Sequence, residues 1–201
     1  MVFIEKILVI KFKIDEIISG YLKGKKISQP LDKTTRPLKD ITKEALFNII
    51  VHSNKFSVDL NNSKILDLFS GVGSFGIECL SRGADHVTFV ENYSKTLNIL
   101  NQNIQKLDLK EKCEVITSDI FKDNFFKQIN KKYEIIFLDP PYKEIKIFKL
   151  ISILFLEKVL ESNGIIVLHR HKKSKDQFPS NFKILEEKTY GLSKIYFATL
   201  N

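Results

Sequence analysis

Cysteine is scarce in this chain of 201 residues, with only Cys79 and Cys113. They form no CxxC or CxxH spacing, which argues against a structural zinc site or any other metal role. The economical reading is two buried thiols in a reducing compartment, so the protein is expected to be cytoplasmic. Long apolar runs are missing as well. The opening Met1–Ile14 is apolar, but Glu5, Lys6, Lys11 and Lys13 interrupt it. It is too short to span a bilayer and has no small-residue cleavage site, so no membrane association is expected. No repeat or low-complexity tract is present. Acidic residues are in the minority, 24 Asp and Glu against 32 Lys and Arg, for a formal charge of +8 and a sequence pI near 9.3. That surplus favours polyanionic partners through counterion release and electrostatic steering.

What is present fits an ordinary soluble domain, with 43% hydrophobic and 28% charged residues. Residues 1–58 read as an N-terminal extension. It holds a β-like stretch over 14–27, broken at Ser19-Gly20 and Gly24, then a polar loop through Pro30 and Pro37. A helix follows from about Asp40, with Ile41, Ala45, Leu46, Ile49 and Ile50 as its apolar stripe. Residues 59–201 alternate strand and helix. Strands are expected at 65–69, 86–91, 114–118, 133–138 and 164–168. Helices are expected at 74–81, along the Leu97, Leu100, Ile104 and Leu107 face, and over 145–160. Residues 183–189 and 194–200 form an antiparallel pair around Gly191. The repeated βα units imply an α/β fold with a doubly wound, mostly parallel, seven-stranded sheet of Rossmann-like type. Ligands in such sheets lie at the carboxyl ends of the strands.

One glycine-rich turn falls at such an end. Gly71-Val72-Gly73-Ser74-Phe75-Gly76 matches G-x-G-x-x-G between a strand and a helix, and Glu91-Asn92 closes the next strand. Either a dinucleotide or S-adenosylmethionine could use that turn, since both carry an adenosine. Asp67 separates the two. A pyrophosphate at the helix N-terminus would gain nothing from a nearby carboxylate, whereas the ammonium and sulfonium of S-adenosylmethionine would. The run Asp67-Leu68-Phe69-Ser70-Gly71-Val72-Gly73 therefore points to S-adenosylmethionine. Asp119 ends the third strand, with Ile120 after it. The pair resembles that of methyltransferase-like chains, in which a carboxylate here accepts from the adenine amino group and the following residue lies against the ring. A strand-end acid can equally cap the next turn.

Asp139-Pro140-Pro141-Tyr142 closes the fourth strand. Two prolines fix φ and withhold N–H donors, forcing a stiff exit from the sheet. Such rigidity suits an attack by a base amino group on a sulfonium methyl. The Asp139 carboxylate and the Pro140 carbonyl would accept the amino hydrogens, free the nitrogen lone pair and stabilise the developing positive charge. Tyr142 would stack on the extruded base. Lys23, Lys25, Lys26, Arg36, Lys39 and Lys43 supply a basic face for phosphates, and Arg170, Lys172, Lys173 and Lys175, with His169 and His171, supply a second. The two histidines read as surface or RNA-facing groups.

These residues together resemble the RsmD family, the guanine-N2 methyltransferases of small-subunit ribosomal RNA. The resemblance runs through Ile17–Ile27, Arg36–Asp40, Lys43–Asn48, Leu66–Gly71, Glu78, Leu80–Ala84 and Asp139–Tyr142. It implies methylation of a guanine N2 in 16S ribosomal RNA, on the small subunit or its assembly intermediate, by a monomer. Leu38, Ile41 and His169 depart from the family's usual Thr, Arg and Glu. Two other readings stand beside it. A DNA adenine-N6 methyltransferase would use the same four-residue corner, but the chain has no insertion large enough for a DNA-recognition domain. A non-catalytic RNA-binding assembly protein would not need the acidic and proline positions.

Overall fold

A computed structural model of the chain describes residues 14–30, 40–122 and 124–201. A short antiparallel hairpin, β1 (Ile14–Glu16) and β2 (Lys26–Ser28), precedes helix α1 (Asp40–His52). Alternating units follow: β3 (Lys64–Leu68), α2 (Ser74–Ser81), β4 (His86–Glu91), α3 (Ser94–Lys106) and β5 (Cys113–Thr117). Then come β6 (Tyr133–Leu138), α4 (Ile147–Leu156), β7 (Leu160–His171), β8 (Phe182–Tyr190) and β9 (Ser193–Leu200). The seven strands of the main sheet lie in the order β5-β4-β3-β6-β7-β9-β8. The first five run parallel, while β9 is antiparallel to both β7 and β8.

Period-two alternation builds a core on each face of this sheet, as a pleated strand buried on both sides requires. Ile65, Val87, Phe89, Ile135, Phe137, Ile165 and Val167 share one core with Ile77, Leu100 and Ile104. Ile17, Leu22 and Ile27 from the hairpin and Leu46, Phe47 and Ile50 from α1 belong to that same core. Leu66, Leu68, Ile136, Leu138, Ile166 and Leu168 face the other way, onto Leu150, Ile151 and Leu154 of α4.

Boundaries around α4 and β7 differ from the sequence expectation. Helix α4 ends at Leu156, and β7 begins at Leu160 instead of Gly164. The cause is pairing: Tyr133 sits opposite Leu160, and an irregularity between Tyr133 and Ile135 absorbs the polar Glu161-Ser162-Asn163 before regular pairing resumes at Ile165. Among the described residues, no helix is long and apolar enough to cross a membrane.

Candidate active site

The chain winds outward from β3 to β4 and β5, then crosses back to place β6 on the other side of β3. Strand order therefore reverses between β3 and β6, and ligands of such sheets bind beyond the carboxyl ends of the strands at that point. Parallel pairing of Asp67 with Phe137 and of Leu68 with Leu138 puts the glycine turn and the proline corner side by side on that edge.

The turn is built from backbone that only certain residues tolerate. Phe69 has φ 61°, an uncommon value for a non-glycine residue and a kind of strain that gathers at functional sites. Gly73 has φ 85°, and a Cβ there would come within 2.6 Å of Leu100, so the position admits glycine alone. At Gly71 an added Cβ would meet nothing within 4 Å, so the turn faces open space. Glu91 closes the turn from β4. Its Oε2 accepts from the Gly71 N–H at 2.7 Å, and Oε1 accepts from the N–H groups of Asn92 and Tyr93 at 2.9 and 2.7 Å.

Beneath the turn, Asp67 is 1% exposed. Its Oδ2 accepts from the Gly76 N–H at 3.1 Å, while Oδ1 is buried without a hydrogen-bond partner. Burial pushes the carboxyl well above the usual range; the Gly76 N–H opposes this, and the nearby charges of Asp139 and Glu91 add to it. A buried acid with an orphaned oxygen and negative neighbours suits a cationic or hydrogen-bond-donating ligand. This acid and the open turn at Gly71 together fit a cofactor that carries an adenosyl group and an amino-acid arm with an ammonium.

Asp119 Oδ1 accepts from the Phe121 N–H at 2.9 Å, so here it caps its own turn. Ile120 is buried in the core on the α4 side of the sheet. Phe69 and Phe121 have ring centroids 6.3 Å apart and form an aromatic margin on this edge. The sequence reading missed Phe121, because nothing local to it signals a partner fifty positions away.

At the proline corner, Pro140 is buried and Pro141 exposed. The Tyr142 ring meets His171 edge-on at 5.1 Å and His169 at 6.2 Å. Two residues expected on an RNA-facing surface are interior instead. His169 is 4% exposed, and its Nδ1 lies 2.8 Å from Asp139 Oδ1. Arg170 is 3% exposed; its guanidinium pairs with Asp176 and donates to the carbonyls of Pro141 at 3.2 Å and Glu144 at 2.9 Å. Position in β7 explains both, since this strand is covered on both faces and its last residues abut the corner. Lys172, Lys173 and Lys175 beyond it are exposed.

Lys43 is a third correction. It is 0% exposed, bound to Asp15 Oδ1 at 2.9 Å and to the Glu16 carbonyl at 3.1 Å, so it is an internal tie between α1 and β1. Asp15 also accepts from Ser74 and from Gln29, and this links the base of the hairpin to the glycine turn. Lys23, Lys25 and Lys26 are exposed, but the structure does not bring them to the crevice. The hairpin runs along α2: Asp15 meets Ser74, the Ile18 and Ser19 N–H groups meet Glu78, and Leu22 meets Ser81. Its tip therefore lies at the amino edge of the sheet, where Lys106 donates to the Lys26 carbonyl and Lys112 lies over the Tyr21 ring. Arg36 and Lys39 lie outside the described residues. Among the described residues no cluster of His, Cys, Asp and Glu could hold a metal.

The strand order, with an acid under a glycine turn after its first strand and a proline corner after its fourth, defines the Rossmann-like fold of S-adenosylmethionine-dependent methyltransferases. A solved structure of the yhhF protein of Escherichia coli superposes with a TM-score of 0.76 at 25% identity, covering 94% of this chain and 98% of that one. More distantly, the SMU.776 protein, solved complexed with SAH, shares the fold alone, with a TM-score of 0.62 at 15% identity over 87% of this chain and 53% of that one. The family described as "Conserved hypothetical protein 95" matches residues 16–199. The ribosomal RNA small subunit methyltransferase D of Buchnera aphidicola (subsp. Acyrthosiphon pisum) is 35% identical over 90% of both chains. The protein of that name from Haemophilus influenzae is 34% identical over 88% of this chain and 89% of its own. The chain belongs to this ribosomal RNA methyltransferase D family.

Proposed function

We propose that the protein transfers a methyl group from S-adenosylmethionine to the exocyclic N2 of a guanine in small-subunit ribosomal RNA. One observation carries the reading: Asp67 in β3 is paired with Phe137 of β6, and Asp139 follows that strand where strand order reverses, so the two carboxylates lie close enough to raise the Asp67 pKa. The names of the relatives support ribosomal RNA as the substrate class. When bound, S-adenosylmethionine supplies an electrophilic methyl on a sulfonium. Asp67, Gly71, Gly73 and Glu91 would hold it, with Phe69, Asn92, Asp119 and Ile120 around the adenosyl end. Asp139 and the Pro140 carbonyl accept from the amino group, draw its lone pair out of the ring and stabilise the positive charge that develops on nitrogen. Tyr142 stacks on the extruded base. Lys23, Lys25 and Lys26, with Lys106, Lys110 and Lys112 beside them, would engage phosphates away from the crevice.

Labelled S-adenosylmethionine should transfer its methyl to small ribosomal subunits or assembly intermediates that lack the mark, with N2-methylguanine as the product by mass spectrometry. N6-methyladenine in DNA, or RNA binding without transfer, would overturn the proposal. Asp139→Ala should lower kcat on the order of 10²- to 10³-fold, while cofactor Kd in calorimetry stays within about twofold.

A further inference from the structure

We infer that His169 is a positioning residue for Asp139, fixing the carboxylate that receives the substrate amino group; the inference rests on the functional reading above. Register places the two together. Leu138 pairs with Leu168 in the parallel β6–β7 ladder, so the next residues, Asp139 and His169, emerge side by side at the crevice. Their side chains meet at 2.8 Å, Nδ1 to Oδ1, with the His169 side chain 5% exposed and that of Asp139 24% exposed. One partner is thus interior, and the other is partly exposed.

The donor set fixes the tautomer. An ionised carboxylate only accepts, so the proton on the facing imidazole nitrogen belongs to Nδ1. His169 Nε2 is buried with no hydrogen-bond partner among the described residues. A bare lone pair there costs less than an unpaired N–H, which favours the Nδ1–H tautomer over the Nε2–H one. In that form His169 donates to Oδ1 and leaves Oδ2 as the oxygen that receives the amino hydrogen. An acceptor held at a fixed angle does not reorganise during transfer, and a misplaced one loses rate before it loses binding.

Three His169 substitutions and one spectrum test this. Asparagine carries an N–H near the place of Nδ1, whereas glutamine keeps more of the volume but carries its amide further out. H169A and H169Q should lower kcat on the order of 10- to 100-fold, with RNA KM and cofactor Kd within about threefold. H169N should recover most of the rate. A role in filling space alone predicts the reverse order, with glutamine at least as good as asparagine, and that result would overturn the proposal. So would wild-type kcat in H169A. Long-range ¹⁵N–¹H NMR on the unliganded protein should show the Nδ1–H tautomer at His169, lost in Asp139→Ala; an Nε2–H tautomer in the wild type also overturns it. A wild type that methylates no RNA defeats the functional reading and this proposal with it, an outcome distinct from an active wild type with an equally active H169A.

Discussion

Asp67 shows how a ligand site can cost its own protein stability. Burial raises its folded pKa above the unfolded carboxylate value, so the folded state binds the proton more tightly than the unfolded chain. The sign follows: its favourable contribution is fully present below the unfolded pKa and is lost as pH rises through the folded one. Asp67→Asn keeps an acceptor for the Gly76 N–H and removes the charge. In urea unfolding without cofactor it should match the wild type near pH 4 and exceed it once pH rises above the usual carboxylate range, while binding S-adenosylmethionine at least about tenfold more weakly in calorimetry. A variant that loses stability at pH 8 would contradict this. Single residues were unevenly legible from sequence. Asp67, Gly71, Gly73, Glu91 and Asp139 announce themselves because a turn or a strand end dictates what stands there. Lys43, His169 and Arg170 were misread as surface groups, because the burial of a basic side chain depends on an acid supplied from elsewhere in the chain, here Asp15, Asp139 and Asp176.

At the level of elements, one buried acid ties the turn of the hairpin to α2. Glu78 on α2 is 0% exposed and accepts from the N–H groups of Ile18 at 2.8 Å and Ser19 at 3.0 Å and from Arg82 at 2.7 Å. Gly20 packs so tightly on the same helix that an added Cβ would lie 1.7 Å from the Ser81 carbonyl oxygen. Glu78→Ala should cost on the order of 3–5 kcal/mol in chemical unfolding, because it strands two backbone donors and a guanidinium. Faster hydrogen exchange at the Ile18 and Ser19 amides would locate the loss; unchanged exchange there would count against the tie. The strands and helices of the sheet were readable because their apolar periods are long and unmixed. The docking of the hairpin was not, because its hydrogen bonds join residues about sixty positions apart and leave no local pattern. The early start of β7 was hidden likewise, since Glu161-Ser162-Asn163 reads as a loop and is strand only through its partner.

For the molecule as a whole, one group of exposed lysines stands apart from the glycine turn. Helix α2 is 8 residues long and so spans about 12 Å, with the glycine turn at its start and the exposed Lys23, Lys25 and Lys26 near its end. Replacing those three lysines by alanine should lower the slope of log K against log salt for RNA binding by about 2 to 3, with cofactor affinity unchanged. A slope equal to that of the wild type would place the phosphate contacts elsewhere. In the proposed complex, grip and chemistry then sit at opposite ends of one rigid helix, like the jaws of a calliper. A strand too short to reach round that flank would touch the chemistry without the grip. Binding would thus depend on the reach of the RNA as well as on the base that it offers.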